Sequence, residues 1–325
     1  MQSLSQRVPR TMLAGGLAVV MVLAAASSGR AQVNRRDVPI VTQPQQRFNS
    51  GQDIQPIFEG WTLNDNGSYN FLFGYLNRNY AERPHVSVGE NNFFSPGEAD
   101  RGQPTYFYPR TNRYQFEVPV PADFPRDGEL IWEVTRMGST QRAYGWLQAE
   151  WEIDVNTITS NGRTQFGRSV EELYGNVSPT VTVEASQASI AVGQPLTLTA
   201  RMTDDELPTP VPERDPDAPR RRRQPTLIPP DDAPDIPDNI PQYSKPNPSR
   251  NHMSVRWVVY RGPSYAGFDP TGYQEWKEGM EGDGWTSGTF ETTVTFSEPG
   301  TYTLRAFASD AMLISTANVT ITVTE

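Results

Sequence analysis

Side chains that could carry out catalysis are few and scattered in this chain. It has no cysteines, and its two histidines, His85 and His252, lie far apart in the sequence. No Gly-x-Ser-x-Gly elbow occurs, nor a histidine pair at zinc spacing or a glycine-rich phosphate loop after a strand. Because the chain has no cysteines, thiol chemistry and cysteine metal sites are excluded. We predict that the chain is not an enzyme, with a hydrolase of unrecognised site as an alternative.

Paired carboxylates near the middle of the chain are the nearest approach to a hydrolytic site. Glu150, Glu152 and Asp154 could in principle act on a glycosidic bond, which needs two facing carboxyl groups. They alternate with Trp151 and Ile153. That alternation favours the solvated face of a strand over an active site.

Calcium is the one metal that the sequence could accommodate, because it needs only clustered oxygen ligands. The candidates are Asp310, the adjacent pair Asp204 and Asp205, and Asp65 in a turn. For Asp65 the turn alone explains the residue, and Asp310 is equally suited to hydrogen-bonding its own chain corner. Asp310 is thus a candidate calcium ligand, and no other cofactor is predicted.

Aromatic residues give the clearest candidates for ligand binding. The loop at residues 89–109 is long and contains Phe93, Tyr106 and Tyr108. Loops of this length are usually functional or ordered by their own packing. Exposed rings beside amide and charged groups could stack on sugars or anchor a protein partner. The competing interpretation is that the aromatic residues of the loop plug the open end of a sandwich.

A second aromatic loop, at residues 265–287, places Trp276 and Trp285 among acidic residues. We include both tryptophans among the candidate ligand-binding residues. The alternative is a surface loop whose tryptophans pack on the sandwich beneath it.

The elements that position these loops are strands. Between residues 290 and 323 three short segments alternate apolar and polar residues with period two, and turns separate them. Tyr302, Leu304 and Ala306 fall on one face of the middle segment, with Arg305 and Phe307 on the other. This pattern indicates antiparallel strands with one face in a core.

The same stretch resembles the end of a PKD-type module, an immunoglobulin-like repeat. Its Pro-Gly-x-Tyr-x-Leu run ends in an Ala-Ser-Asp corner at Asp310. Upstream, Val255-Arg-Trp257 resembles the central tryptophan strand of that family, and residues 180–202 resemble its first two strands. The resemblance covers residues 179–325 and implies an immunoglobulin-like β-sandwich. Such modules serve as spacers, adhesion units and binding units, so it implies no single activity.

Residues 53–156 have the strand density of a second β-sandwich, and no named family is recognised there. An Asn-Gly turn at residues 66–67 predicts a hairpin between two apolar strands. Further segments around Tyr114, Trp132 and residues 141–153 alternate in the same way. The predicted fold class is all-β, with two antiparallel β-sandwiches in tandem.

The remaining segments predict export and a non-globular insert. A basic start, a 15-residue apolar run and small residues before Gln32 indicate a cleaved signal peptide, with an uncleaved anchor as the alternative. The predicted organisation is signal peptide 1–31, flexible leader 32–52, aromatic-rich sandwich 53–156, linker 157–178, and immunoglobulin-like sandwich 179–325 with a disordered insert at 204–250. Four consecutive arginines at 220–223 could bind an anionic polymer, but nearby aspartates favour a solvated charge block.

These observations predict an exported, non-catalytic protein of the bacterial cell envelope, periplasmic or extracellular, with a binding, adhesion or structural role. Its partner would be an envelope protein or a surface polysaccharide. The net charge of −10 disfavours nucleic acid, and no membrane span is expected after signal cleavage. The alternative is a carbohydrate-binding protein that uses the aromatic loop of the first sandwich.

Overall fold

A computed structural model describes residues 47–154, 157, 170–209 and 252–325. The predicted signal peptide, most of the leader and linker, and insert residues 210–250 lie outside the described residues. Within the described ranges, no helix is long and apolar enough to cross a membrane.

Six strands form the first half of the fold. They are β1 (Ile54–Leu63), β2 (Tyr69–Asn77), β3 (Asn92–Ser95), β4 (Arg110–Val120), β5 (Leu130–Arg136) and β6 (Ser139–Gly145), followed by a 3-10 turn, η1 (Ala149–Trp151). They pair as two antiparallel sheets, β1-β2-β4 and β3-β5-β6. Phe73 of β2 and Trp132 of β5 meet edge to face, which shows that the two sheets pack into one sandwich.

Nine strands and one short helix form the second half. They are α1 (Val170–Gly175), β7 (Thr180–Ala185), β8 (Ser189–Ala191), β9 (Pro195–Thr203), β10 (Ser254–Arg261), β11 (Ala266–Asp269), β12 (Tyr273–Glu275), β13 (Ser287–Phe296), β14 (Gly300–Ser309) and β15 (Ile314–Thr324). The sheets are β11-β13-β9-β7 and β12-β10-β14-β15-β8, antiparallel except for β8 beside β15. The predicted all-β, antiparallel fold is confirmed.

The second half has the strand order of an immunoglobulin-like sandwich. One sheet has four strands, and in the other sheet β10 pairs with β14, which in turn pairs with β15, as in that fold. Trp257 of β10 is completely buried, as predicted for the central tryptophan strand. The hydroxyl of Tyr302 donates to the carbonyl of Glu298 at 2.9 Å, a tyrosine corner. These features confirm an immunoglobulin-like fold, without distinguishing the PKD type from other such modules.

The predicted hairpin between β1 and β2 is present with a different turn. Gly67 donates its backbone N–H to the carbonyl of Asn64 at 2.8 Å, and Asn64 donates to Ser68. Gly67 has φ +82°, whereas Asn66 is absent from the residues with positive φ. The loop is therefore a type I turn followed by a left-handed glycine, which needs only one residue of positive φ.

A bulge in β4 moves Tyr114 out of its predicted position. The register jumps from Phe116 opposite Phe73 to Asn112 opposite Tyr75, so three residues of β4 face Gly74 alone. Tyr114 is only half-buried there. Gly74 permits this geometry because a Cβ would lie 2.5 Å from the carbonyl oxygen of Asn112.

Other local expectations were wrong. The predicted strand 141–153 ends at Gly145, so Glu150 and Glu152 lie on or beside η1 rather than on a strand face, although both are exposed. A strand was also expected at residues 85–88, and this segment contributes a single bridge from His85 to Tyr106. The loops 89–109 and 265–287 contain the short strands β3, β11 and β12.

Strands β10 and β14 are buried on both faces. Val255, Trp257 and Val259 face the core of the second sandwich, as expected. Arg305 and Phe307, predicted on the opposite face of β14, are also at least nine-tenths buried. That face is covered because the first sandwich packs on it, and the described residues from 47 onwards form one compact unit.

Candidate functional site

The aromatic loop of the first sandwich lies against strand β10 of the second. The backbone N–H of Val259 donates to the Tyr108 hydroxyl at 2.8 Å. The backbone N–H of Tyr108 in turn donates to the Tyr75 hydroxyl of β2 at 2.9 Å. Tyr108 is 3% exposed. Its side chain therefore links a strand of each sandwich through buried hydrogen bonds.

Tyr106 is buried beside Tyr108 and shares its environment. The two rings meet edge to face with centroids 5.3 Å apart, and Tyr106 is 4% exposed. Burial raises the pKa of Tyr106 to about 12 although the Arg83 guanidinium opposes the shift, so the hydroxyl stays protonated at neutral pH. The predicted exposed stacking face of Tyr106 and Tyr108 is therefore absent, because the second sandwich covers it.

Hydrogen bonds and an ion pair extend this contact to residues 100–105 of the loop and to Tyr260 and Arg261 of β10. The backbone N–H of Thr105 donates to the Tyr260 carbonyl at 3.1 Å, and the Tyr260 hydroxyl donates to the Gly102 carbonyl at 2.5 Å. Arg261 donates to the Gln103 carbonyl at 2.8 Å and forms a two-pronged ion pair with Asp100 at 2.7 and 3.0 Å. This pair holds the pKa of Asp100 below its usual range.

Arg305 completes the contact from β14. Its guanidinium lies 3.4 Å from the centroid of the Tyr260 ring, and it donates to the Gln115 carbonyl of β4 at 2.7 Å and to Asn318 at 2.8 Å. Burial lowers the pKa of Arg305, and the neighbouring Tyr260 partly opposes this. No ion pair found in the described part of the chain includes Arg305. The aromatic face and the carbonyl therefore solvate its charge.

We call this contact the junction, formed by residues 100–108, β10 residues 259–261 and Arg305. Tyr260, Arg261 and Arg305 are not among the residues that the sequence predicts to have a functional role. The uninterrupted apolar run that ends at Tyr260 was the available signal, since such runs are typical of strands buried on both faces.

Phe93, the third candidate of the first loop, lies outside the junction. It occupies β3, whose residues alternate between buried and half-buried, and Phe93 is half-buried. Its neighbour Phe94 is buried and stacks on Trp132 of β5 with centroids 5.9 Å apart. The competing interpretation, that aromatic residues of this loop such as Phe94 and Phe107 plug the open end of the sandwich, agrees with their burial, since both are at most 1% exposed.

Trp276 and Trp285 come together around His252. The ring centroids of the two tryptophans lie 5.5 and 5.2 Å from the imidazole centroid. Both tryptophans are half-buried. Gly284 has to lack a side chain here, because a Cβ would lie 2.5 Å from the Trp276 ring. The structure therefore unites these two candidates but keeps them apart from the first loop.

A groove of about 730 Å³ lies beside this cluster, between β12 and β13. Tyr273, Glu275, Glu281, Glu291 and Lys277 contribute to its lining. Its volume is in the range of ligand sites. Three carboxylates against one ammonium group favour a cationic or hydroxyl-rich partner. We call this the acidic groove.

Asp310, the candidate calcium ligand, is bound by its own chain corner. Its Oδ1 accepts the backbone N–H groups of Met312 and Leu313 at 2.6 Å each, and its Oδ2 accepts from Asn176 at 2.9 Å. Burial raises the pKa of Asp310 to about 6, and burial with the charge of Asp310 raises that of Asp204 to about 7. Among the described residues, no group of three histidine or acidic side chains could hold a metal.

Comparisons with known proteins find only distant structural likeness. No family model matches the chain, and no curated protein matches it. Similar solved structures include domains 4 and 5 of the S-layer protein SbsC. The two are 11% identical over 61% of this chain and 66% of that one, with a TM-score of 0.21. The D00-D0 domain of intimin is 8% identical over 85% of this chain and 96% of that one, with a TM-score of 0.23. Chimeric titin Z1Z2 is 11% identical over 84% and 100%, with a TM-score of 0.20. Likeness at this level carries no argument, so the fold assignment rests on strand order.

Proposed function

We propose that the chain is an exported, non-catalytic binding and structural protein of the bacterial cell envelope, in which the two sandwiches act as one fixed unit. The observation that carries this proposal is the junction. Tyr106 and Tyr108, which would serve a ligand-binding loop, are instead buried between the sandwiches, where Tyr108 accepts the Val259 N–H. Because the aromatic loop holds the two sandwiches together, the protein can present its surfaces in a fixed relative orientation.

The location of the chain follows from its N-terminal sequence. A basic start and a 15-residue apolar run before Gln32 support signal-directed export to the periplasm or the cell exterior. The absence of cysteine is compatible with either place, since the fold needs no disulfide.

The partner surface is the acidic groove of the second sandwich. Its carboxylates, Glu275, Glu281 and Glu291, suit a partner that presents basic side chains, and we propose an envelope protein as that partner. In this proposal calcium takes no part, because both carboxylate oxygens of Asp310 already accept hydrogen bonds from Met312, Leu313 and Asn176.

A second candidate function is carbohydrate binding, at the acidic groove rather than at the loop of the first sandwich. Tyr273 is half-buried in the groove lining, beside carboxylates that can accept hydrogen bonds from sugar hydroxyls. A single aromatic ring with flanking carboxylates suffices for a short glycan contact.

The test is a binding assay of the mature chain, residues 32–325, on insoluble polysaccharides and on solubilised envelope proteins, with calcium or a chelator. Three variants accompany it: Tyr273→Ala, the double change Glu275→Gln with Glu281→Gln, and Tyr144→Ala. The last is a matched control, because Tyr144 is an exposed tyrosine of the first sandwich.

For a protein partner we expect retention of one discrete envelope protein that falls at least tenfold with the double glutamine change and stays unchanged with Tyr144→Ala. Retention on a polysaccharide that Tyr273→Ala abolishes would favour the second candidate. Retention unaffected by either groove change would contradict the assigned surface, and loss on chelation would contradict the exclusion of calcium.

A further inference from the structure

The last strand of the second sandwich has a long open edge. On one side β15 pairs with β14 through ten residue pairs, from Ile314 with Ser309 to Val323 with Gly300. On the other side β8 covers only Thr322 to Thr324. Within the described residues, no strand pairs with β15 at positions 314–321 on that side. The adjacent β7 belongs to the other sheet and pairs with β9. An open edge presents unpaired backbone N–H and C=O groups to the solvent.

This edge lacks the features by which proteins usually block strand edges. β15 contains no charged residue and no proline over its 11 residues. Native edge strands are usually very short or carry charges, proline or a bulge. The other edges follow that rule: β8 and β12 have three residues each, and β4 carries Arg113, Glu117 and Pro119 as well as a bulge. The long uncharged edge therefore stands out within one molecule.

Exposed apolar side chains continue this edge at its beginning. Ile314 is 36% exposed and Val177 is 63% exposed. The two belong to neighbouring segments, because Asn176 donates to Asp310 and lies against the sulfur of Met312. An apolar surface beside an open strand edge is typical of a protein contact.

We propose that residues 314–321 pair with the same residues of a second copy of this chain, in antiparallel orientation. The pairing would join two five-stranded sheets into one continuous sheet about a twofold axis. In such a contact the same strand faces itself, so the surface must be self-complementary.

Charge identifies a second copy as the occupant. Each copy carries a net charge of −10, which opposes association wherever acidic surfaces meet. At β15 no charged side chain is present, so two copies can approach there without placing like charges opposite each other. The exposed Thr316, Asn318 and Thr320 can instead form cross-strand hydrogen bonds, whereas a charged partner strand would find no opposite charge on this edge.

The size of the contact sets its strength. Eight residues of edge pairing with a small apolar flank bury less surface than the roughly 1,200 Å² of total area typical of stable complexes. We therefore expect a dimer that forms as the concentration rises. This inference rests on the strand order alone and is independent of the partner proposed for the acidic groove.

The test combines sedimentation equilibrium with hydrogen exchange of the mature chain, each at low and high protein concentration. The apparent mass is expected to rise up to twofold. Those amides of 314–321 that point away from β14 are expected to exchange more slowly at the higher concentration, whereas the alternate amides are already bonded to β14. The double change Thr316→Lys with Thr320→Lys places charges on the paired edge, and we expect it to keep the chain monomeric.

The matched control is Thr197→Lys with Thr295→Lys. It adds the same charge at exposed threonines of β9 and β13, which are paired on both sides. It should dimerise like the unmodified chain. Should the β15 variant fail to fold, the concentration dependence of exchange in the unmodified chain still decides.

Two results would overturn the inference. One is a constant monomer mass with exchange of the outward-pointing amides of 314–321 that is fast at every concentration. The other is a monomer in which these amides are protected even at high dilution, since residues of the same chain would then cover the edge.

Discussion

Asp310 is a buried carboxyl group whose surroundings suit both of its protonation states. Its Oδ1 accepts two backbone N–H groups, which favours the charged form. Its Oδ2 faces Asn176, whose own Oδ1 is buried without a hydrogen-bond partner in the described residues. If the amide of Asn176 flips, its Oδ1 faces residue 310. A protonated Asp310, or an asparagine at that position, could then donate a hydrogen bond to this Oδ1. Burial outweighs the other effects and raises the pKa of Asp310 to about 6.

The raised pKa predicts how stability depends on pH. A carboxyl whose pKa is raised from 3.8 to about 6 binds its proton more tightly in the folded state, so folding is favoured at low pH. That contribution is lost as the pH rises from about 4 to about 6. The pKa of Asp204, raised to about 7, extends the same loss to slightly higher pH. The lowered pKa values of Asp100 and Asp283 act only below pH 4.

We predict that Asp310→Asn stabilises the protein at pH 8 relative to the unmodified chain, by on the order of 3 kcal/mol, with about half of that gain at pH 5. The amide keeps an acceptor for Met312 and Leu313 and adds a donor for Asn176. Urea unfolding at the two pH values measures the difference. Asp65→Asn, in the exposed hairpin turn, is the control and should change neither value. A variant that is less stable at pH 8 would show that the carboxylate charge is needed at this corner.

Strand β10 is the element on which the two sandwiches meet. One face carries Trp257 into the core of the second sandwich, and the opposite face carries Tyr260 into the junction. The backbone of the same strand donates to Tyr108 of the first sandwich. A change in the junction is therefore expected to affect the stability of both sandwiches.

Tyr108→Phe tests this expectation with the loss of one oxygen atom. It removes the acceptor of the buried Val259 N–H, whereas the bond from the backbone N–H of residue 108 to the Tyr75 hydroxyl stays, and we predict a loss of about 1–3 kcal/mol in the free energy of unfolding. Tyr69→Phe in β2 is the matched control, because no described hydrogen bond involves its hydroxyl, and it should cost little. Equal effects of the two changes, measured by denaturant unfolding, would mean that the Tyr108 hydroxyl does not hold the junction.

The long strands could be predicted from the sequence because alternation repeats over enough residues to be distinctive. This holds for β13, β14 and β15, for the β1–β2 hairpin and for the buried position of Trp257. Strands of three or four residues, such as β8 and β12, show less than two periods, and pairing with a neighbour defines them instead. The bulge at Tyr114 also depends on the partner strand, through Gly74.

The candidate site could be predicted only in part. Composition indicated that the loop 89–109 was either functional or packed, and the structure shows packing. Local periodicity placed Arg305 towards the solvent, and it could not show that a sheet more than a hundred residues earlier covers that face. Contacts between distant segments carry no signature in the alternation of either segment. The apolar run before Arg261 was the only local hint.

At the scale of the whole molecule, the described residues from 47 onwards form one compact unit, and buried apolar residues of both sandwiches belong to one core cluster. The first six residues of the predicted insert join this unit. The backbone N–H of Asp204 donates to the carbonyl of Thr286 at 2.9 Å, and that of Thr209 donates to Glu172 at 3.1 Å. The rest of the insert, residues 210–250, has a sequence that is rich in proline and poor in large apolar residues.

We predict that replacing residues 211–250 with a short glycine–serine linker leaves the melting temperature nearly unchanged. The segment offers too little apolar surface to offset the entropy of ordering it, so it should add no stability to the sandwiches. Its seven acidic and seven basic residues also cancel, so the replacement leaves the net charge at −10. A chain with the same residues in shuffled order controls for length and composition. A fall of several degrees with the linker, and not with the shuffled segment, would mean that the length or composition of the segment matters and the order of its residues does not. A fall with both would mean that the native order of residues packs on the sandwiches, in which case the arginines at 220–223 and the acidic groove would be the first pair to test by charge reversal.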